Sequence, residues 1–178
     1  ANHAVAATFE MHNKVKQLTT EFKQRGWPSP NMGVGINTGL MNVGNMGSKY
    51  RISYTVIGDA VNIASRIEHL TRFYSVPTIV SERTALEATD YLFRELDQVN
   101  VKGRQQKIKI FEPVCKRGEE DDKLLKKLQN HEIAIKYYLN SNWIEARKKF
   151  ENLYFEYDDE YYKVMINLID DEYQIYLR

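Results

Sequence analysis

The sequence predicts a mixed α/β unit over residues 1–117, followed by an all-helical segment over residues 118–178. Three observations lead to this fold class. In the first part, short stretches of alternating apolar and polar residues are interleaved with stretches of helical periodicity. The composition then changes at a charged joint over residues 116–122. Beyond the joint, residues rich in Lys, Glu, Tyr and Leu keep helical spacing and give no strand signal.

The first element is a predicted helix over residues 4–25, which Gly26 ends. Its apolar residues recur at intervals of four, three and four, so they form one stripe: Met11, Val15, Leu18 and Phe22. A strand follows at residues 32–36, where Gly33 and Gly35 leave one face as nearly bare backbone. We therefore expect another segment, or a ligand, to lie close to that face.

Residues 37–49 contain three glycines and are predicted to be a turn-rich connection with room for a short strand. Residues 51–56 alternate again and are predicted to be a second strand. After it, Asp59 is placed to be the N-cap of a helix. The apolar residues of this helix keep helical spacing: Ile63, Ile67, Leu70 and Tyr74.

The α/β unit is completed by a short strand over residues 76–80, a short helix capped by Ser81, and two paired strands. The paired strands span residues 92–101 and 108–114, with Lys102 in the turn between them.

The helical segment resembles a tetratricopeptide-type hairpin, with residues 140–142 as its turn. Six residues fall at the offsets of that hairpin: Ile133, Ala134, Tyr137, Ala146, Phe150 and Leu153. Eight of the twelve tyrosines lie in this segment. They knit two or three helices together, cover the α/β part, or line a groove for a partner.

Charge and composition exclude several classes of protein. Lys and Arg number 25 against 24 Asp and Glu, which argues against a dedicated nucleic-acid binder. The single cysteine, Cys115, cannot form an internal disulfide and fits a reducing compartment. No apolar stretch approaches the roughly 18 residues that a membrane span needs. We expect this part to be soluble and cytoplasmic, whereas a membrane anchor elsewhere in a longer parent stays open.

Asn62 and Arg66 are four residues apart, so they stack on one face of the predicted helix. An amide can orient a ribose oxygen, and a guanidinium can bind phosphate bidentately near a helix start. A polar helix face that is only solvated could carry the same two residues. A phosphate site and a solvated face therefore both stay open at this point. Lys102 in its hairpin is either a surface lysine or a ligand of a polyphosphate.

Several other chemistries lack their signatures. The sequence contains no Walker pattern, paired-glycine fingerprint or kinase motif. It also lacks Cys/His spacing for a metal site, so the histidines are interpreted as surface or packing residues: His3, His12, His69 and His131.

Three blocks of the sequence closely resemble the class III adenylate and guanylate cyclases. These are residues 33–39 (GVGINTG), 44–48 (GNMGS) and 54–68 (YTVIGDAVNIASRIE). The blocks are ungapped and correctly ordered, and the resemblance covers about residues 3–115. The segment beyond is similar to the helical extension of some bacterial members.

The resemblance implies roles for individual residues. The family's transition-state asparagine and arginine correspond to Asn62 and Arg66, and its phosphate-binding lysine to Lys102. Its base-selecting position corresponds to Thr55, where many adenylate cyclases carry aspartate and a bacterial-rich subgroup carries threonine. A threonine hydroxyl can satisfy the adenine amino group, so the implied substrate is ATP.

The resemblance also implies a ferredoxin-like catalytic domain that is N-terminally truncated here. The family's two metal-binding aspartates and its base-contacting lysine precede the position that corresponds to Ala1. The two Mg or Mn ions of the full-length enzyme would therefore find no ligands in this chain. Asp59 is a candidate substitute, although helix capping is the preferred interpretation. Family members pair head to tail with the site between the two domains, which implies a homodimer.

The implied reaction converts ATP into 3′,5′-cyclic AMP and pyrophosphate for intracellular signalling. Two metal ions activate the ribose 3′-oxygen for in-line attack on the α-phosphorus. Asn62 would orient the ribose, Arg66 would stabilise charge on the α-phosphate, and Lys102 would hold the outer phosphates. We expect this chain to be inactive alone.

Two alternatives stay open. One is a catalytically inactive regulatory or interaction module that keeps the cyclase fold. The other is a nucleotide-binding sensor whose tyrosine-rich segment docks a partner. Retention of both Asn62 and Arg66 favours the enzyme.

Overall fold

The computed structural model describes residues 1–100 and 107–176, which form six helices and six strands. The predicted mixed α/β fold with a helical C-terminal segment is confirmed. In chain order the elements are α1 Asn2–Gln24, β1 Val34–Ile36, β2 Asn42–Ser48, β3 Arg51–Ile57, α2 Asp59–Tyr74, β4 Thr78–Ser81, α3 Glu82–Glu87, β5 Tyr91–Asn100, β6 Lys107–Lys116, α4 Asp122–Leu139, α5 Trp143–Tyr157 and α6 Glu160–Tyr176.

Four strands form the main sheet in the order β1-β4-β6-β5. Strands β1 and β4 are parallel, and the other neighbours are antiparallel. The predicted pairing of β5 with β6 is therefore confirmed. Strands β2 and β3 form a separate antiparallel pair.

Helix α2 packs directly on the glycine face of the segment around β1. A Cβ built on Gly35 would lie 2.4 Å from the carbonyl oxygen of Ala64, and one on Gly33 would lie 2.2 Å from Oγ1 of Thr71. These distances are too short for any side chain, so the two glycines permit the close approach of helix and strand. The expectation that something lies against this bare face is confirmed, and the neighbour is α2.

The predicted first helix is present, but its apolar stripe is only partly covered. Met11 and Leu18 are 41% and 42% exposed. The buried residues of α1 are Val5 and Thr8, near its start. Val5 belongs to a small cluster with Ala88 and Tyr91. Helix α1 thus packs mainly through its first third.

The connection predicted over residues 37–49 differs from the structure in its second half. Residues 42–48 form a seven-residue strand, β2, which pairs along its whole length with β3. Gly47 adopts φ +144, a conformation that side chains rarely allow, and a Cβ there would lie 2.0 Å from the carbonyl oxygen of Arg51. Gly47 therefore permits a tight hairpin, which the number of glycines in the segment does not distinguish from a loop.

Helices α4 and α5 form a hairpin whose turn lies at residues 140–142. Ala134 and Phe150 are fully buried in it, whereas Ile133 is 44% exposed. The assignment of this hairpin to the tetratricopeptide type, and the division of the chain at residue 117, stay predictions.

One hydrophobic core runs from the main sheet into the helical segment. It joins Ile63 and Ile67 of α2 to Leu96 of β5 and to Phe150 and Met165 of the helices. None of the helices in the described part of the chain is long and apolar enough to cross a bilayer.

Buried tyrosines line the contact between the helical segment and the sheet. The Tyr74 hydroxyl donates to Oδ2 of Asp97 at 2.6 Å, and the Tyr161 hydroxyl donates to the carbonyl oxygen of Leu96 at 2.7 Å. Tyr161 and Tyr162 are fully buried. The interpretation that tail tyrosines cover the α/β part is therefore confirmed for these two residues.

Arg94 of β5 lies at the centre of a buried ionic cluster. Its Nε contacts Oε2 of Glu112 at 2.5 Å, and its Nη1 contacts Oδ2 of Asp159 at 2.7 Å. Lys127 Nζ contacts the same Asp159 oxygen at 2.7 Å. The guanidinium also lies over the ring of Tyr161, with Cζ 4.6 Å from the ring centroid. The cluster thus joins both paired strands to the helical segment.

Candidate active site

Asn62 and Arg66 lie on the exposed face of α2, one above the other. Four residues of helix correspond to about 6 Å along its axis, so both side chains can reach one small ligand. The opposite face carries Ile63 and Ile67, which are 3% and 0% exposed. Burial of those two isoleucines fixes the rotation of the helix and hence the direction of the polar pair.

The start of α2 is set by Gly58. Its carbonyl oxygen accepts hydrogen bonds from the N–H groups of Val61 and Asn62, at 3.1 and 3.3 Å. Gly58 is therefore the N-cap, and the prediction that Asp59 caps the helix is wrong by one position. Asp59 is instead the first helical residue, where the helix dipole favours a negative charge.

Asn37 holds the loop after β1 against the first turn of α2. Its Nδ2 donates to the carbonyl oxygen of Ala60 at 2.9 Å. Gly39 approaches the same residue so closely that an added Cβ would lie 2.6 Å from the Cβ of Ala60. The sequence pattern alone did not assign this role to Asn37. An asparagine directly after a predicted strand was the available signal, because its side chain often bonds nearby backbone.

Thr55 lies in β3, opposite Gly44 of β2, and is exposed. Only Gly58 separates the end of this strand from the start of α2. Thr55 is therefore only a few residues along the chain from the helix that carries Asn62 and Arg66. Lys102, the fourth predicted site residue, lies outside the described residues.

The three described site residues lie on an open surface. They line neither the cleft of about 700 Å³ between α1 and α4 nor the cleft of about 510 Å³ next to Asn37 and Asp59. A second surface would be needed to enclose a nucleotide over Thr55, Asn62 and Arg66.

The described residues do not fit the two metal ions that the resemblance implies. Across residues 1–100 and 107–176, no group of three or more His, Cys, Asp or Glu side chains could hold a metal ion. Magnesium and manganese in proteins prefer carboxylate and other oxygen ligands. The chemistry assigned to this part of the chain therefore rests on its hydrogen-bond donors and positive charges.

Comparisons with known proteins address the family and the fold of the chain. The family model for the adenylate and guanylate cyclase catalytic domain matches residues 1–112. Adenylate cyclase 1 of Rhizobium meliloti is 31% identical over 115 residues, which cover 64% of this chain and 17% of that protein. The chain spans less than a fifth of the length of each of three curated relatives that it matches, namely 17%, 6% and 18%.

Two solved structures share the fold at 30% sequence identity and a TM-score of 0.54. One is the adenylyl cyclase CyaB from P. aeruginosa, where the match covers 64% of this chain and 58% of that one. The other is the guanylyl cyclase Cya2, where it covers 66% and 59%. An adenylyl and a guanylyl cyclase are thus equally similar, so the fold does not select the base. The family match and the shared fold together show that the chain belongs to the adenylate and guanylate cyclase catalytic domain family.

Proposed function

We propose that the chain is the part of a class III adenylate cyclase that orients the ribose and stabilises the transition state. The observation that carries this proposal is the exposed pair of Asn62 and Arg66 on one face of α2, whose other face is anchored in the core. A rigid helix presents both donors without a large cost in ordering them when the nucleotide binds. The product would be 3′,5′-cyclic AMP, formed in the cytoplasm.

The two side chains have different parts in the reaction. The ribose 3′-oxygen attacks the α-phosphorus. The bond between the α-phosphorus and the oxygen that bridges it to the β-phosphorus breaks, and pyrophosphate leaves. The amide of Asn62 orients the ribose for this attack, and the guanidinium of Arg66 stabilises the negative charge that grows on the α-phosphate. Lys102 would hold the outer phosphates.

The hairpin of β2 and β3 supports a dimeric site. An isolated two-stranded hairpin is marginally stable in water, and this one exposes five large apolar side chains. These are Val43 at 54%, Ile52 at 66%, Tyr54 at 75%, Val56 at 40% and Ile57 at 54%. A second copy of the domain, packed over the hairpin and α2, would cover them and enclose the nucleotide. We therefore propose a homodimer with the site at its interface.

Replacement of Thr55 is expected to change base selection. Loss of one hydrogen bond to the adenine amino group costs about 1 kcal/mol, so Thr55→Ala should lower the ratio of ATP to GTP turnover about fivefold. Thr55→Ser keeps the hydroxyl and should keep the ratio. Ser53→Ala is the matched control, because Ser53 is also exposed in β3, two residues away. Steady-state turnover of both nucleotides in the active dimer measures the ratio, and an unchanged ratio in Thr55→Ala would give Thr55 a structural role only.

The 178-residue chain by itself is expected to make no cyclic AMP from ATP with Mg²⁺ or Mn²⁺. Asn62 and Arg66 supply donors and positive charge, which can hold phosphate but cannot assemble two divalent cations between them. Radiolabelled ATP and the purified chain would test this, with heat-killed protein as a control. If the unsubstituted chain makes cyclic AMP and the Arg66→Ala variant does not, this chain binds the metals itself.

An inactive cyclase-fold module is the second candidate. It is favoured because no three or more His, Cys, Asp or Glu side chains among the described residues form a group that could hold a metal ion. The two candidates can be distinguished by measuring ATP turnover in an assembly whose other parts supply the metal-binding carboxylates. The proposed enzyme then turns over ATP, whereas the inactive module binds it unchanged.

A further inference from the structure

The cleft of about 700 Å³ lies between α1 and the helical segment, away from Asn62 and Arg66. Its walls come from α1 and α4, and its floor comes from the last turn of α2 and from strands β4 to β6. This volume is within the range of sites for small organic ligands. The cleft is a separate feature of the chain, because it includes no residue assigned to the nucleotide.

Part of the cleft wall is apolar. Five half-buried side chains from three segments contribute to it: Phe9, Val15, Met32, Leu124 and Leu128. All five line the cleft and are still partly exposed. A ligand with an apolar body would remove this remaining surface from water.

The ionic cluster at the floor of the cleft is internally balanced. Arg94 and Lys127 carry two positive charges, and Glu112 and Asp159 carry two negative charges that they contact directly. Arg94 and then Lys127 hold the pKa of Asp159 at about 2, although burial alone would raise it. The cluster therefore offers a ligand little net charge.

The remaining ionisable groups of the cleft give it a positive rim. Lys16 of α1 and Arg72 of α2 both line the cleft and are exposed, and neither forms an ion pair with a described residue. His12 lies four residues before Lys16 on α1, and its Nε2 is 2.9 Å from Oγ1 of Thr78. Burial lowers the pKa of His12, so its ring is neutral at neutral pH. Two positive charges that form no ion pair with a described residue thus border an apolar wall.

We propose that this cleft binds a small organic anion with an apolar body, of the class of amphipathic carboxylates. The carboxylate lies at the rim between Lys16 and Arg72, and the hydrocarbon part lies against the wall formed by α1 and α4. Such a ligand contacts the helical segment, α1 and the last turn of α2 at once. The proposal concerns binding alone and does not depend on cyclase activity.

Three ten-carbon probes that differ only in their head groups test the charge requirement: decanoate, decanol and decylamine. Isothermal titration calorimetry on the full chain measures their affinities at low and high salt. We expect decanoate to bind about tenfold more tightly than decylamine, and salt to reduce this difference. Equal binding of all three probes, or no saturable binding of decanoate, would overturn the proposal.

Charge reversal locates the site. Lys16→Glu and Arg72→Glu should each weaken decanoate binding about threefold to tenfold, and the double variant should weaken it further. Both residues are exposed, so the variants are expected to fold, which circular dichroism checks. Lys14→Glu is the matched control, because Lys14 is exposed on the same helix but does not line the cleft. Unchanged decanoate affinity in the double variant, or an equal loss in Lys14→Glu, would place the ligand elsewhere and refute the assignment.

Discussion

Arg66→Ala is expected to lower cyclase turnover about 10² to 10³-fold in an assembly that is otherwise active. This range is typical of losing one preorganised donor that stabilises charge in the transition state. The side chain is exposed, and alanine is the most favourable residue in a helix, so the fold should be unaffected. The loss should fall on kcat, with little change in KM, if Arg66 acts mainly on charge that develops during the reaction.

Two further variants make this result specific. Arg66→Lys keeps the positive charge but not the bidentate geometry, so it should restore only part of the rate. Arg83→Ala removes another exposed arginine, from α3, and should leave turnover unchanged. Steady-state kinetics measure the effect. If Arg66→Ala lowers kcat less than about threefold, Arg66 does not stabilise the transition state.

Arg94→Ala is expected to lower the free energy of unfolding by about 3 to 5 kcal/mol. The substitution leaves the carboxylates of Glu112 and Asp159 in a buried position without their main cation. It also removes the guanidinium from the ring of Tyr161. Urea unfolding followed by circular dichroism measures the change, and Arg83→Ala should stay within about 0.5 kcal/mol of the unsubstituted protein. A loss below about 1 kcal/mol would contradict the view that the cluster holds the helical segment on the sheet.

The same variant should change the response to acid. Asp159 has a pKa of about 2 in the folded chain, against about 3.9 for an unfolded aspartate. A carboxylate whose pKa is lowered by folding stabilises the protein above its unfolded pKa, and this contribution is lost as pH falls from about 4 to about 2. Burial raises the pKa of Glu112, so that residue acts in the opposite direction and at higher pH. Without Arg94, the loss of stability between pH 4 and pH 2 should become shallower.

The sequence by itself determined the features that depend on near neighbours in the chain. The spacing of Asn62 and Arg66 places them on one face of a helix whatever the rest of the fold does, because the helical repeat is set by the backbone. Alternation in β3 and the periodicity of α2 likewise predicted their elements. The order of the three cyclase-like blocks predicted the family, which the match over residues 1–112 then showed.

Only the tertiary structure decided the contacts between distant residues. The sequence predicted that a ligand or another segment lies against Gly35. In the structure this segment is α2, about 30 residues further along the chain. Arg94, Glu112 and Asp159 carry no local pattern that links them, yet they form one buried cluster. Such contacts depend on how whole elements pack, and the burial that makes these charges matter exists only after packing. For the same reason, the positive rim of Lys16 and Arg72 exists only once α1 and the end of α2 border the same cleft.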